Sequence, residues 1–270
     1  MIDYLLSVNV IWLAFFAGLF TWLMTSFGAS FVFFFKSISA RVYTMMLGFA
    51  AGIMLAASFF SLILPAVEMA EQNGTTPWLP AAIGFLLGGF FLRIMDMVIP
   101  HLHLRSPDKN REGPRTGLNR SWLMIFAVTI HNIPEGLAVG VAFGALASGI
   151  DSVNIMSAIT LTIGIGLQNI PEGFAVAAPL RGEGFSRMKS FFYGQLSGSV
   201  ELLGAVIGAV IASSMTVILP YALSFAAGAM VYVIVEELIP EAQQSQHADL
   251  ATIFLMFGFV VMMVLDIALG

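Results

Sequence analysis

Four residues able to do chemistry stand in stretches otherwise too apolar to hold charge: His131, Glu135, Glu172 and Glu201. A carboxylate buried among hydrocarbon is costly unless it is paired, hydrated or bound to a cation, so such residues mark a site. Residues four apart on a helix share a face, which sets His131 over Glu135 and Gln168 over Glu172. Asn132 and Asn169 lie one position round, about 100° away on an ideal helix, and serve the neighbouring face. Imidazole, carboxylate and amide oxygen make a mixed nitrogen and oxygen donor set. It suits Zn²⁺ and other first-row divalent ions such as Fe²⁺, Mn²⁺ or Co²⁺. Carboxylates from two facing helices could bridge two ions. There is no cysteine, which excludes thiolate ligands and disulfides.

The elements that must position these residues carry their own marks. Pro134 and Pro171 fall between the paired positions. Each lacks an N–H and cannot close the helical bond to the carbonyl four residues earlier, so interrupted helices with open carbonyls at Ile130 and Leu167 are expected. Such interruptions are tolerated where they line a hydrated cavity. Gly136 and Gly173 leave room for close backbone approach. The motifs recur in pairs. HNIPEG at 131–136 answers QNIPEG at 168–173, while FAAGIM at 49–54 with LPAVE at 64–68 answers FAAGAM at 225–230 with IPEAQ at 239–243. The members of each pair cross in opposite directions, which implies inverted repeats about an axis in the membrane plane and a site near its middle.

Composition places all of this in lipid. The 270 residues are 59% hydrophobic and 10% charged, against roughly 25% charged in a soluble domain. Eight windows hold the ~20 apolar residues that a span needs: 8–35, 43–67, 79–100, 122–147, 153–180, 190–212, 217–239 and 250–269. The N-terminus lacks the basic stretch of a signal peptide, so its apolar run is read as the first span. Lys36 and Arg41 flank the first loop. Arg93, Arg105, Lys109, Arg111, Arg115 and Arg120 belong to the third, and Arg181, Arg187 and Lys189 to the fifth. The even loops have none, which makes the odd loops cytoplasmic and both termini outward. The reading is an all-α integral membrane protein of eight helices, one domain over 1–270, with a polar cytoplasmic loop at 101–121.

Acidic residues gather at two mouths, Glu68 and Glu71 after the second span and Glu236, Glu237 and Glu241 after the seventh, followed by His247 and Asp249. Acidic mouths concentrate cations. His101 and His103 stand on the third loop, and Asp96 lies three residues after Arg93, a spacing that suits an ion pair within the helix. Small residues recur at Gly140/Gly144, Gly194/Gly198 and Gly204/Gly208. They permit close packing within the bundle or in a homodimer.

The paired HNIPEG and QNIPEG motifs resemble the signature of the ZIP family of metal-ion transporters, most like its GufA-type bacterial branch, and the resemblance extends over the eight spans. It implies transport of divalent ions into the cytoplasm by alternating access, Zn²⁺ foremost, with Cd²⁺, Fe²⁺, Mn²⁺ and Co²⁺ as further cargo. It also implies a binuclear centre. One ion would be held by His131, Glu135, Gln168 and Glu172 with Met54 close by, the other by Asn132, Glu135, Asn169, Glu172 and Glu201. Some relatives carry Asp where this chain has Asn169, which leaves the second position one negative charge poorer. The resemblance further makes Glu237 and its neighbours an exit route and places the protein in an inner membrane. No catalytic residues, catalytic cofactor or nucleic-acid partner are expected. The motifs of zinc peptidases and di-iron bundles are absent, so a metalloenzyme is a weaker alternative than a passive metal channel.

Overall fold

The computed structural model describes residues 5, 7–35, 39–102, 113–118, 120–149 and 154–269. Lys36, His103, Arg105, Lys109 and Arg111 lie outside them. Eight long helices run through the described residues: α1 (Val10–Ser30), α2 (Ala40–Gln72), α3 (Trp78–Val98), α4 (Arg120–Ala145), α5 (Ile155–Gly182), α6 (Arg187–Ser214), α7 (Leu219–Gln243) and α8 (Ala248–Leu269). Several begin at a polar side chain that accepts from an otherwise orphaned backbone N–H. Asn9 caps α1 through the Ile11 N–H at 2.9 Å, and Asn154 caps α5 through the Ser157 N–H at 2.8 Å. Ser39 and Ser186 do the same for α2 and α6.

Seven of these helices are long and apolar enough to cross a membrane by length and composition. They present apolar side chains outward, as in the exposed row Trp12, Phe16, Phe20, Leu23 and Phe27 along α1, which suits a hydrocarbon solvent. The helix outside that count is α5, 28 residues long and buried on most of its faces. Its neighbours shield it from lipid, so it can carry Gln168, Asn169 and Glu172 where an outer helix could not.

The expected interruptions of the site helices do not occur. Both α4 and α5 remain α-helical through Pro134 and Pro171, although each proline removes one backbone hydrogen bond. The irregularities lie in α2 and α7, as wide π-type turns at Ser58–Ile63 and Ile234–Leu238. Each turn precedes a proline, Pro65 or Pro240, whose ring would crowd the carbonyl four residues back in a regular helix. Such turns are frequent at functional sites because they re-aim side chains. Within the α7 turn Glu236 is exposed and Glu237 is buried.

Helix pairing reproduces the inverted repeats in space. The α4 helix packs along α6, α2 along α8, α3 along α7, and α1 against both α5 and α6. The contacts rest on glycines, which let backbones approach closely. Gly52 of α2 faces Leu255 of α8, while its repeat counterpart Gly228 of α7 faces Phe85 of α3. Likewise Gly258 of α8 lies against Phe49 and Gly88 of α3 against Phe225, the two Phe of the FAAG motifs. The α4/α6 seam is lined by Gly136, Gly140 and Gly144 from one side and Gly204 and Gly208 from the other. Two groups result, α1, α4, α5 and α6 in one and α2, α3, α7 and α8 in the other, meeting where α2 lies against α5 and α7 against α4.

Candidate metal centre

The HNIPEG and QNIPEG turns of α4 and α5 face one another at the core of the bundle. His131, Asn132, Glu135, Gln168, Asn169 and Glu201 are all buried, and Glu172 is partly so. The amides stand between the carboxylates. Gln168 Nε2 donates to Glu135 Oε2 at 2.6 Å and to Asn169 Oδ1 at 2.5 Å, and Asn169 Nδ2 donates to Glu201 Oε2 at 2.7 Å. One hydrogen-bonded row thus joins Glu135 to Glu201 across α4, α5 and α6.

On one side of this row lies a cavity of about 30 Å³, room for roughly one water or one ion. Met54, His131, Glu135, Gln168 and Glu172 all line it, so five expected ligands from three helices converge there. Glu237 and Glu241 line the same cavity. His131 Nδ1 makes an ion-pair contact with Glu237 Oε2, and Glu241 Oε1 accepts from the Tyr43 hydroxyl at 3.0 Å. On the other side of the row, Asn132, Asn169 and Glu201 do not line the cavity. Asn132 Nδ2 donates to the Ser197 carbonyl at 3.1 Å.

Two buried oxygens test the donor set. Glu172 Oε2 and Asn132 Oδ1 have no hydrogen-bonding partner, although a buried acceptor without one is costly. A cation beside each would satisfy it, and the two atoms belong one to the cavity side and one to the Glu201 side. Among the described residues no three His, Cys, Asp or Glu side chains form a ready-made cage.

The remaining expected residues are dispersed. Glu68 and Glu71 are exposed on the last turns of α2, and Glu236 is exposed on α7. His247 is partly buried in the turn that opens α8, where its carbonyl accepts from the Leu250 N–H at 2.9 Å. His101, expected on a mobile loop, is instead fully buried. Its Nε2 stands 3.7 Å from Asp96 Oδ1, and its Nδ1 is 2.9 Å from the Ile99 carbonyl oxygen. Asp96 is buried while Arg93 is exposed, and the Tyr232 side chain of α7 lies near both.

Sequence reading missed Thr21, Thr25 and Tyr43. Asn169 Nδ2 donates to the Thr21 carbonyl at 3.1 Å, and the Thr25 hydroxyl lies 3.3 Å from Glu201 Oε1. The available signal was two threonines four apart on one face of an otherwise apolar helix, which α1 turns toward the centre.

Comparison with known proteins identifies the family. A family model described as ZIP Zinc transporter matches residues 8–121 and 103–266. The chain is 41% identical to zinc transporter ZIP11 of Homo sapiens, over 93% of this chain and 95% of that protein. It is 39% identical to zinc transporter ZIPB of Bordetella bronchiseptica, over 91% and 78%. Identity to zinc transporter GufA of Myxococcus xanthus is 38%, over 78% and 81%. Matches of this extent, on a multi-pass helical bundle with paired PEG turns at its core, place the chain in the ZIP family.

Proposed function

We propose that this protein carries divalent metal ions, Zn²⁺ foremost, across a cell membrane into the cytoplasm through the centre built on His131, Glu135, Gln168 and Glu172, with Asn132, Asn169 and Glu201 forming its second half. The observation that carries the reading is the convergence of Met54, His131, Glu135, Gln168 and Glu172 on one ion-sized cavity, with a Glu172 oxygen left without a partner. The ion is cargo in this reading. Turning the Gln168 and Asn169 amides over would present oxygen where nitrogen now faces the carboxylates.

By the distribution of Lys and Arg, the end of the bundle holding Arg41, Arg93, Arg181 and Arg187 is cytoplasmic and both termini are outside, in an inner membrane for a bacterial chain. The cavity is lined toward that end by Leu47, Val128, Ala175 and Glu241. Toward the opposite end Leu62, Ala138, Leu161 and Ala227 pack into the core. These linings favour an inward-facing state, with Glu237 and Glu241 on the way out and Glu68 and Glu71 at the far mouth. Alternating access then requires the centre to pass the packed core. The helix groups suggest that α1 and α6 move with α4 and α5, a wider block than the two site helices alone, while α2, α3, α7 and α8 stay as scaffold.

Purified protein in liposomes tests this. Zn²⁺ uptake should saturate and show counterflow, which a passive channel lacks, and Cd²⁺, Fe²⁺, Mn²⁺ and Co²⁺ offered in turn rank the cargo. His131→Ala and Glu135→Ala should each abolish most uptake while the protein remains in the membrane. Near-normal uptake by both would remove the centre from the mechanism.

A further inference from the structure

Glu201 enters the centre from α6 because Gly136 of α4 leaves room for it; a methyl group added there would stand 2.6 Å from Glu201 Cα. The repeat that carries HNIPEG onto QNIPEG carries Gly136 onto Gly173, and it exchanges the α4/α6 pair with the α5/α1 pair. Gly173 faces Thr25, where an added methyl would stand 2.9 Å from the Thr25 carbonyl carbon. Thr25 therefore holds on α1 the place that Glu201 holds on α6.

The two counterparts also touch. Thr25 is fully buried, and its hydroxyl reaches Glu201 Oε1 at 3.3 Å. It sits in a notch opened by Gly198 of α6, where an added methyl would stand 2.7 Å from Thr25 Oγ1. The second Glu201 oxygen is held by Asn169 at 2.7 Å, and Asn169 is itself held by the Thr21 carbonyl at 3.1 Å. Both oxygens of Glu201 are thus directed by protein donors, one from α1 and one from α5. A threonine in a buried helix can also turn its hydroxyl back to the preceding turn, and the Thr21 carbonyl lies 3.3 Å from Thr25 Oγ1. Packing alone would require no more than that bond. The reach to Glu201 and the matched place in the repeat go beyond it.

We infer that Thr25 is a positioning residue of the metal centre, the neutral counterpart of Glu201, whose hydroxyl aims the Glu201 carboxylate at the second ion. The inference rests on reading the cluster as a two-ion centre. Its chemistry is an alcohol donor that orients a ligand without adding charge, so one wall of the centre is acidic and its mirror wall is not.

The test is metal titration of the purified full chain with Zn²⁺, and with Co²⁺ so that visible absorption reports the coordination of each ion. Thr25→Val removes the hydroxyl at nearly constant shape, and Thr25→Ser keeps it. Thr25→Val should weaken binding of the second ion about tenfold, the scale of one hydrogen bond to a charged group, and should alter the absorption of the second Co²⁺ alone. Thr25→Ser should restore both. In a Glu201→Gln background Thr25→Val should add nothing, because its route of action is gone. An unchanged second ion in Thr25→Val overturns the inference, as does equal loss in Val and Ser variants, which would mark a packing role. A wild-type protein that binds one ion and is indifferent to Glu201→Gln would overturn the two-ion reading and the role of Thr25 with it. A second ion that depends on Glu201 but ignores Thr25 would overturn the role of Thr25 alone.

Discussion

His131 of α4 is in ion-pair contact with Glu237 of α7, and this contact crosses the boundary between the two helix groups. His131 belongs to the centre, while Glu237 belongs to the helix that leads from it to the basic end. Glu237 lies on the buried face of α7, four residues after the buried Val233, while the adjacent Glu236 stays exposed. The imidazole proposed to hold an ion thus contacts a carboxylate of the other helix group.

Glu237 is therefore expected to act on release more than on capture. Glu237→Gln keeps the shape and removes the charge that competes with the ion for His131. Turnover should fall by roughly tenfold, the scale of one charge-assisted contact, with little change in KM for external Zn²⁺. Initial-rate kinetics in liposomes separate the two terms. A rise in KM at constant turnover would place Glu237 in capture and remove it from the exit route.

Orientation rests on charge alone and is open to direct labelling. The chain has no cysteine, so single cysteines need no background removal. Asn73 and Gln246 are both exposed, Asn73 in the α2–α3 turn and Gln246 in the α7–α8 turn. An impermeant thiol reagent should modify Asn73→Cys from outside intact cells and Gln246→Cys only after permeabilisation. The reverse pattern would invert the protein and exchange the entrance with the exit.

Much of the architecture was legible because lipid makes strict demands. Apolar length marks eight windows, seven of which are helices long and apolar enough to span a membrane, and the i, i+4 spacing of His131 with Glu135 and of Gln168 with Glu172 puts the expected ligand pairs on single faces. Other features left no trace in composition. All outward faces in lipid are apolar, so hydropathy could not say that α6 pairs with α4 or α1 with α5; the glycines at 136, 140, 173 and 198 decide that through backbone proximity. The prolines misled in the opposite sense. Pro134 and Pro171 signal broken helices by local rules, yet α4 and α5 stay α-helical through them, and the widened turns stand instead just before Pro65 and Pro240. Glu236 and Glu237, adjacent and identical in type, point about 100° apart on the helix, and only the packing of α7 decides which of them is buried. His101 read as a loop histidine because a helix end has no sequence mark of burial, whereas the fold places it in the core beside Asp96.

Asn169 offers the sharpest separation between an ion-filled and an ion-free centre. Its amide nitrogen donates to Glu201 Oε2 at 2.7 Å and to the Thr21 carbonyl at 3.1 Å, so without an ion it ties a buried carboxylate to α1. Asn169→Asp removes both donors and sets a second carboxylate against Glu201 and a carbonyl oxygen. Without metal, a buried acceptor facing other acceptors costs about 1–3 kcal/mol or more, and the variant should unfold at lower temperature than the parent. With metal the sign reverses, because the added charge becomes a further oxygen ligand for the second ion. A ligand present at about 100 times its Kd stabilises the folded state by roughly 2.7 kcal/mol, so Zn²⁺ should raise the melting temperature of Asn169→Asp by more than it raises that of the parent. Turnover should fall, since conduction needs sites weak enough to release their ion. Thermal unfolding in detergent, with chelator and with Zn²⁺, measures both arms. Equal stabilisation of variant and parent by Zn²⁺ would show that position 169 does not face the second ion.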